Sequence, residues 1–295
     1  MSDLRQLKIY THLHFIVVLL GFTAILGAII TIDAVTLVWY RMFFAFVGLW
    51  IYLRIRNISS YVPSKGQMHL YLIGVVVALH WITFFHAINV SNVSVTLGVF
   101  ASTTLFTSFL EPILQGRRLF WLEVVIGLVI IFGIYLIFQY EFQYVEGILF
   151  SLLSAFLNGL FVVLNRNISR KWHPSVISFY EMIGGFVAIS LYLLVLSKVN
   201  VQIFEIGITN LGLILILSLV CTSYAFTAIV EIMKELSAYT VVLAINLEPV
   251  YGIILALLIF GETEKMSGGF YLGACIIILS VFSYPFLKRR FRYKL

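Results

Sequence analysis

Runs of about twenty apolar residues recur along the whole chain, and no other feature constrains its fold as strongly. A helix rises 1.5 Å per residue, so about twenty residues cross the roughly 30 Å of hydrocarbon in a bilayer. Ten such runs are legible: 13–31, 35–53, 68–87, 95–114 and 120–138, then 147–164, 176–196, 211–230, 238–260 and 268–287. The connections between them are too short for a soluble domain. Charged residues make up 11% of the sequence, against about 25% in soluble domains, too few to cover a water-facing surface. The runs are apolar all round and do not alternate, which excludes a β-barrel. The expected fold is an all-α membrane protein with ten transmembrane helices, multi-pass in the cell membrane (the inner membrane in a bacterium).

A net charge of +6 would suit a nucleic-acid binder, but the placement of the basic residues explains it better. With the N-terminus cytoplasmic, sixteen of the 19 Lys and Arg fall on the cytoplasmic side. Only Lys198 and Lys265 fall outside, and Arg41 lies within a span. This segregation follows the positive-inside rule and sets both termini in the cytoplasm. The basic tail 288–295 suits anionic lipid headgroups, so the lipid bilayer is an expected partner and nucleic acid is not. The two cysteines, Cys221 and Cys275, sit inside apolar runs without disulfide or metal-ligand spacing. No Walker loop, dinucleotide fingerprint or HExxH motif occurs. No cofactor is therefore expected, nor ATP hydrolysis by a Walker-type site.

The sequence also repeats. Residues 37–46 (LVWYRMFFAF) and 177–186 (ISFYEMIGGF) match at Tyr, Met and Phe with an offset of 140. Gln115-Gly116-Arg117 and Phe260-Gly261-Glu262 each close the fourth span of a half, with an offset of 145. The halves are 1–140 and 141–295. Five spans per half is odd, so the second copy enters the membrane from the opposite side, an inverted repeat of the kind found in secondary transporters.

With two five-span halves, Tyr40-Arg41 in span 2 and NLEPVYGIILALLIFGE at 246–262, the sequence resembles the EamA-type branch of the drug/metabolite transporter superfamily. The resemblance covers essentially the whole chain. It implies an inverted-repeat bundle whose central cavity is lined mainly by spans 1, 3, 4, 6, 8 and 9. It also implies movement of small metabolites, often amino acids or related compounds, usually outward. The chain departs from the family pattern where Thr103-Thr104 stands at the first-half equivalent of Glu248-Pro249, and where span 1 lacks a Trp-Gly pair.

An ionisable group in hydrocarbon costs about 2.5–3.5 kcal/mol, so each needs a reason. Glu248 lies near the middle of span 9, before a proline that frees the carbonyl of Ile245, with Asn246 close by. It reads as an amine site or proton carrier, or else as a protonated glutamate at a structural kink. Ser151, Ser154, Asn158 and Asn165 share one face of span 6; Thr104, Thr107, Ser108 and Glu111 mark span 4; Tyr224, Thr227 and Glu231 mark span 8. These stripes are cavity lining or helix-helix glue, and Asn158 offers two donors and an acceptor at mid-depth. His80, with Trp81 beside it, is a proton relay or a neutral ring bonded to a nearby hydroxyl. Arg41 and Glu181 occupy equivalent repeat positions at different depths, so a direct salt bridge between them is not expected. Each pairs within its own half or faces a vestibule. Arg41 either clamps a carboxylate or braces the outer helix ends.

Together these features describe a secondary transporter or facilitator of small metabolites, amino acids leading, working by alternating access with export as its direction. Its candidate cavity residues are His80, Trp81, Thr104, Asn158, Tyr224, Asn246 and Glu248, with Arg41 and Glu181 as gating or charge-pairing groups. The alternative is an intramembrane enzyme acting on a lipid. That would require His80, Glu248 and Asn158 to converge on a headgroup, and no nucleophile or metal motif accompanies them.

Overall fold

The computed structural model describes residues 2–116, 121–168, 171–196, 201–233 and 244–292. Every regular element among them is helical. In chain order these are α1 (Ser2–Ile29), α2 (Ala34–Ile55), α3 (Ser64–Val90), α4 (Val93–Phe100), α5 (Thr103–Gln115), α6 (Trp121–Tyr140) and α7 (Val145–Ile168). There follow α8 (Pro174–Val195), α9 (Gly207–Leu215) running into a π-helical segment (Ile216–Tyr224), α10 (Ala225–Met233), α11 (Glu248–Phe260) and α12 (Gly268–Arg292). Among the described residues, eight segments are long and apolar enough to cross a membrane, and Gly268–Tyr284 is a shorter apolar helix. Part of the expected ninth span, 238–243, lies outside the described residues, as do the basic residues Arg117, Arg118, Arg170, Lys198 and Lys234.

Local chemistry sets the helix ends. The Asp33 carboxylate accepts from the backbone N–H groups of Val35 and Thr36, both at 3.0 Å. His173 Nδ1 accepts from Ser175 N–H at 3.3 Å at the start of α8, where Pro174 takes the first-turn position that lacks nothing by having no N–H. Glu264 caps α4 from across the bundle, accepting from Val93 N–H at 3.0 Å and Ser94 N–H at 2.8 Å. Gly116 (φ 66°) and Gly261 (φ 62°) follow α5 and α11 in a backbone region that side-chain-bearing residues avoid.

Two apolar runs that a hydropathy reading makes continuous helices are interrupted by two-residue turns among the described residues. The fourth apolar run turns at Ala101-Ser102 between α4 and α5; the ninth turns at Asn246-Leu247 before α11. Pro249 therefore does not kink a continuous span. It sits in the first turn of a new helix, where its missing N–H had no intrahelical partner to lose. The third irregularity is the π-helical segment, in which Thr222 and Ser223 donate to carbonyls five residues back, at 2.9 and 3.1 Å.

α3 packs against α7 and α8, α2 against α8, α1 against α11, α5 against α7, and α6 against α12. Small residues allow these approaches. A Cβ on Gly74 would collide with the Glu181 carbonyl, and one on Gly21 would come within 2.9 Å of the Gly252 nitrogen. The main core runs through α2, α3, α4 and α8, with Leu37, Met42, Phe85 and Leu97 each at most 1% exposed. Leu72, Leu128, Leu191 and Leu258 project outward, more than half exposed. Such a surface suits acyl chains, not water.

Candidate functional site

One group of buried polar residues lies around Arg41. Its side chain leaves α2 at 3% exposure and lays its guanidinium over the Trp81 ring of α3, 3.7 Å from the centroid, with Phe85 at 5.5 Å. Nε donates to Thr222 Oγ1 at 3.0 Å. The π-helical register brings that hydroxyl to the arginine, and π-turns of this kind recur at functional positions. Nη1 is buried and has no hydrogen-bond partner among the described residues. Glu248, at the start of α11, and His80, one residue before Trp81, both lie within electrostatic range of the guanidinium. So does Cys221, fully buried beside Thr23.

His80 is 8% exposed. Its Nδ1 lies 2.8 Å from Ser154 Oγ, and the Ser154 hydroxyl lies 3.1 Å from the His80 carbonyl. The ring stacks on Phe100 at 5.5 Å and 13°. The hydroxyl beside the ring is that of Ser154 on α7. Asn158 stands one turn beyond Ser154 on α7, half-buried, and Asn246 lies in the turn ahead of Glu248, half-buried too.

Other candidates lie elsewhere. Tyr224 is 42% exposed, and its hydroxyl is 2.7 Å from His12 Nε2, so it ends at the N-terminal part of α1. Thr104 borders a cavity of about 10 Å³, room for one water, beside Ser108, Glu123 and Tyr284. Glu181, 1% exposed, accepts from Asn165 Nδ2 at 2.7 Å and does not meet Arg41. Glu181 on α8 thus bonds to α7, while Arg41 on α2 reaches Thr222 in the π-helical segment. The side chain of Glu231 lies outside the described residues.

A vestibule of about 630 Å³ opens at the end of the bundle where α1 meets α2 and α3 meets α4. Thr31, Asp33, Asn89, Asn92, Tyr144 and Glu264 line it, and His80, Trp81 and Glu248 do not. Further along α1 an apolar cluster forms among the described residues. Leu13, Ile16 and Val17 of α1 pack on Ala225, Ala228, Ile232 and Ala244. Two bonds flank that apolar plug: His12 to Tyr224, and His14 Nδ1 to the Tyr251 hydroxyl at 2.9 Å.

Sequence reasoning missed Thr222, Ser154 as the partner of His80, and Phe100. The consecutive polar residues Cys221-Thr222-Ser223 in an apolar run were the available signal for the first.

No curated protein matches the chain. A protein solved by crystallography is 17% identical with a TM-score of 0.63, over 93% of this chain and 95% of its own, which shows a shared fold. Residues 145–284, from α7 to near the end of α12, match the EamA-like transporter family. The turn in the ninth apolar run, the π-helical segment and Glu248 all fall within that stretch, and the chain is a multi-pass membrane protein similar over 145–284 to the EamA-like transporter family.

Proposed function

We propose that the protein is a secondary transporter or facilitator that exports small metabolites, amino acids or related compounds, by alternating access. It does so with ten spans arranged as two inverted halves, 1–140 and 141–295, and both termini cytoplasmic. The observation that carries this reading is the pair of interrupted apolar runs. The turn at Ala101-Ser102 recurs 145 residues later at Asn246-Leu247. The helices that follow, α5 and α11, are both 13 residues long and end at a glycine of positive φ. At the other offset of 140, Asp33 and His173 cap equivalent helices α2 and α8. Discontinuous helices at matching places in two halves mark the binding region of secondary transporters, because irregular backbone survives in a membrane only beside protein or water.

On this reading Glu248, His80, Trp81, Asn158 and Asn246 border the substrate path, with Thr104 and Tyr224 further along it and Arg41 and Glu181 as charge-pairing groups. The vestibule is the outer mouth, and the plug between α1 and α10 is the closed inner mouth. The lipid-enzyme alternative draws no support, since His80, Asn158 and Glu248 form no hydrogen-bonded cluster among the described residues. The test is uptake of radiolabelled amino acids into proteoliposomes, with and without a pH gradient. Saturable flux above protein-free liposomes is expected; its absence for every amino acid tried removes the reading.

A further inference from the structure

Acidic and basic groups separate along the helix axes. At the vestibule end the exposed carboxylates are Asp33, Glu146, Glu205 and Glu262, and Lys265 pairs with Glu262. At the other end of α2 and α3 the exposed charges are Arg54, Arg56 and Lys65, with His69 one turn further on. The fold brings exposed Lys171 to the same corner from far along the chain. Its neighbour Trp172 lies on Gly66, where an added Cβ would stand 2.7 Å from the ring, and the Tyr180 hydroxyl donates to the Ser60 carbonyl at 3.0 Å. Beneath them Leu53, Val62, Leu70, Ile168 and Val176 form one apolar base. No Asp or Glu occurs in 34–110 or 147–180, and Glu181, the next residue, is 1% exposed. Nothing acidic on these segments therefore neutralises the corner.

Exposed apolar side chains run directly into these charges. On α2, Trp50 and Ile51 stand one turn before Arg54 and Ile55, and the Arg54 guanidinium lies 5.6 Å from the centre of the Trp50 ring. On α3, Met68 and Leu72 share the face of Lys65 and are 60% and 61% exposed. An apolar track that ends in a cation complements a lipid chain that ends in a phosphate, and tryptophan favours this level of a bilayer. We propose that the corner binds an anionic phospholipid. Its acyl chains lie along the outward faces of α2 and α3, and its headgroup phosphate meets Arg54, Arg56 and Lys65. Free phosphate would meet the same cations but leaves the apolar track uncovered. The basic tail is a separate place, since α12 packs against α6. The competing role, an orientation signal during insertion, leaves the cations solvated and indifferent to the lipid.

The experiment is native mass spectrometry of the purified full-length protein in detergent, titrated with phosphatidylglycerol or phosphatidylcholine of identical chains. The parent is expected to bind phosphatidylglycerol about tenfold or more tighter, the scale of two or three cations near an anionic headgroup. Combining Arg54→Gln, Arg56→Gln and Lys65→Gln is expected to remove most of that preference. Combining Lys288→Gln, Arg289→Gln and Arg290→Gln removes the same charge from the tail and is expected to keep it. Inorganic phosphate is expected not to displace the bound lipid. The parent comparison stands even if a variant fails to fold. Equal binding of the two lipids, a preference that survives in the corner variant, one lost equally in the tail variant, or displacement by inorganic phosphate overturns the proposal. Flux plays no part in the readout, so failure here leaves the transporter reading where it stands.

Discussion

A buried charge without water must find its partners in the chain or in a ligand, and Glu181 finds one in Asn165. The consequence for stability is specific. Glu181→Gln keeps an oxygen that can accept from Asn165 Nδ2, so its melting temperature in detergent should stay within a few degrees of the parent. Glu181→Leu strands the buried amide and should cost about 1–3 kcal/mol, the penalty for an unmade bond; equal melting of the two variants contradicts the assignment. At this scale the sequence was legible in kind but not in pairing. His80, Ser154, Arg41 and Glu181 all stand out as polar residues in apolar runs. Which of them touch depends on helix rotation between spans far apart in sequence, such as the 74 residues separating His80 from Ser154. The Arg41–Trp81 stack was hidden for the same reason, because two residues on different spans announce no contact by spacing.

At the scale of elements, close approach through glycine holds α3 against α8. Gly74→Leu places a side chain where the Glu181 carbonyl stands and should destabilise by about 1–3 kcal/mol, as overpacked cores do. Gly212, on α9, has open space around its missing Cβ, and Gly212→Ala should be neutral or stabilise by up to about 1 kcal/mol. Thermal melting of the two variants decides this, and a Gly74→Leu protein as stable as Gly212→Ala refutes the packing account. The apolar runs located the helices to within a few residues because hydrocarbon tolerates little else. α1 is the largest difference: its helix runs back to Ser2, well before the apolar run that starts at residue 13. The break at Ala101-Ser102 was illegible, since neither residue is Gly or Pro and alanine is a good helix former. The break before α11 was misread, because Pro249 suggested a kink and not a helix start.

At the scale of the molecule, one end of the bundle is open, and further along α1 lies the apolar plug with its two His–Tyr bonds. If that plug is the inner gate, Tyr224→Phe with Tyr251→Phe weakens it without changing ring shape. In a Cys275→Ser background, where Cys221 is the remaining cysteine, a membrane-impermeant thiol reagent applied from the cytoplasmic side should then label Cys221 several times faster than in the parent. An unchanged rate removes the gate. The inverted arrangement is tested independently by reporter fusions, which should report both termini and the 56–63 loop in the cytoplasm; an external C-terminus overturns the ten-span topology. The central claim is that substrate passes Glu248 at the start of α11. It is tested most directly by amino-acid flux in proteoliposomes containing the parent or Glu248→Gln, a change that keeps size and removes the charge. The account predicts a folded, membrane-inserted variant with strongly reduced flux, or flux that no longer responds to a pH gradient. A variant that matches the parent in both would contradict it and leave Glu248 as packing.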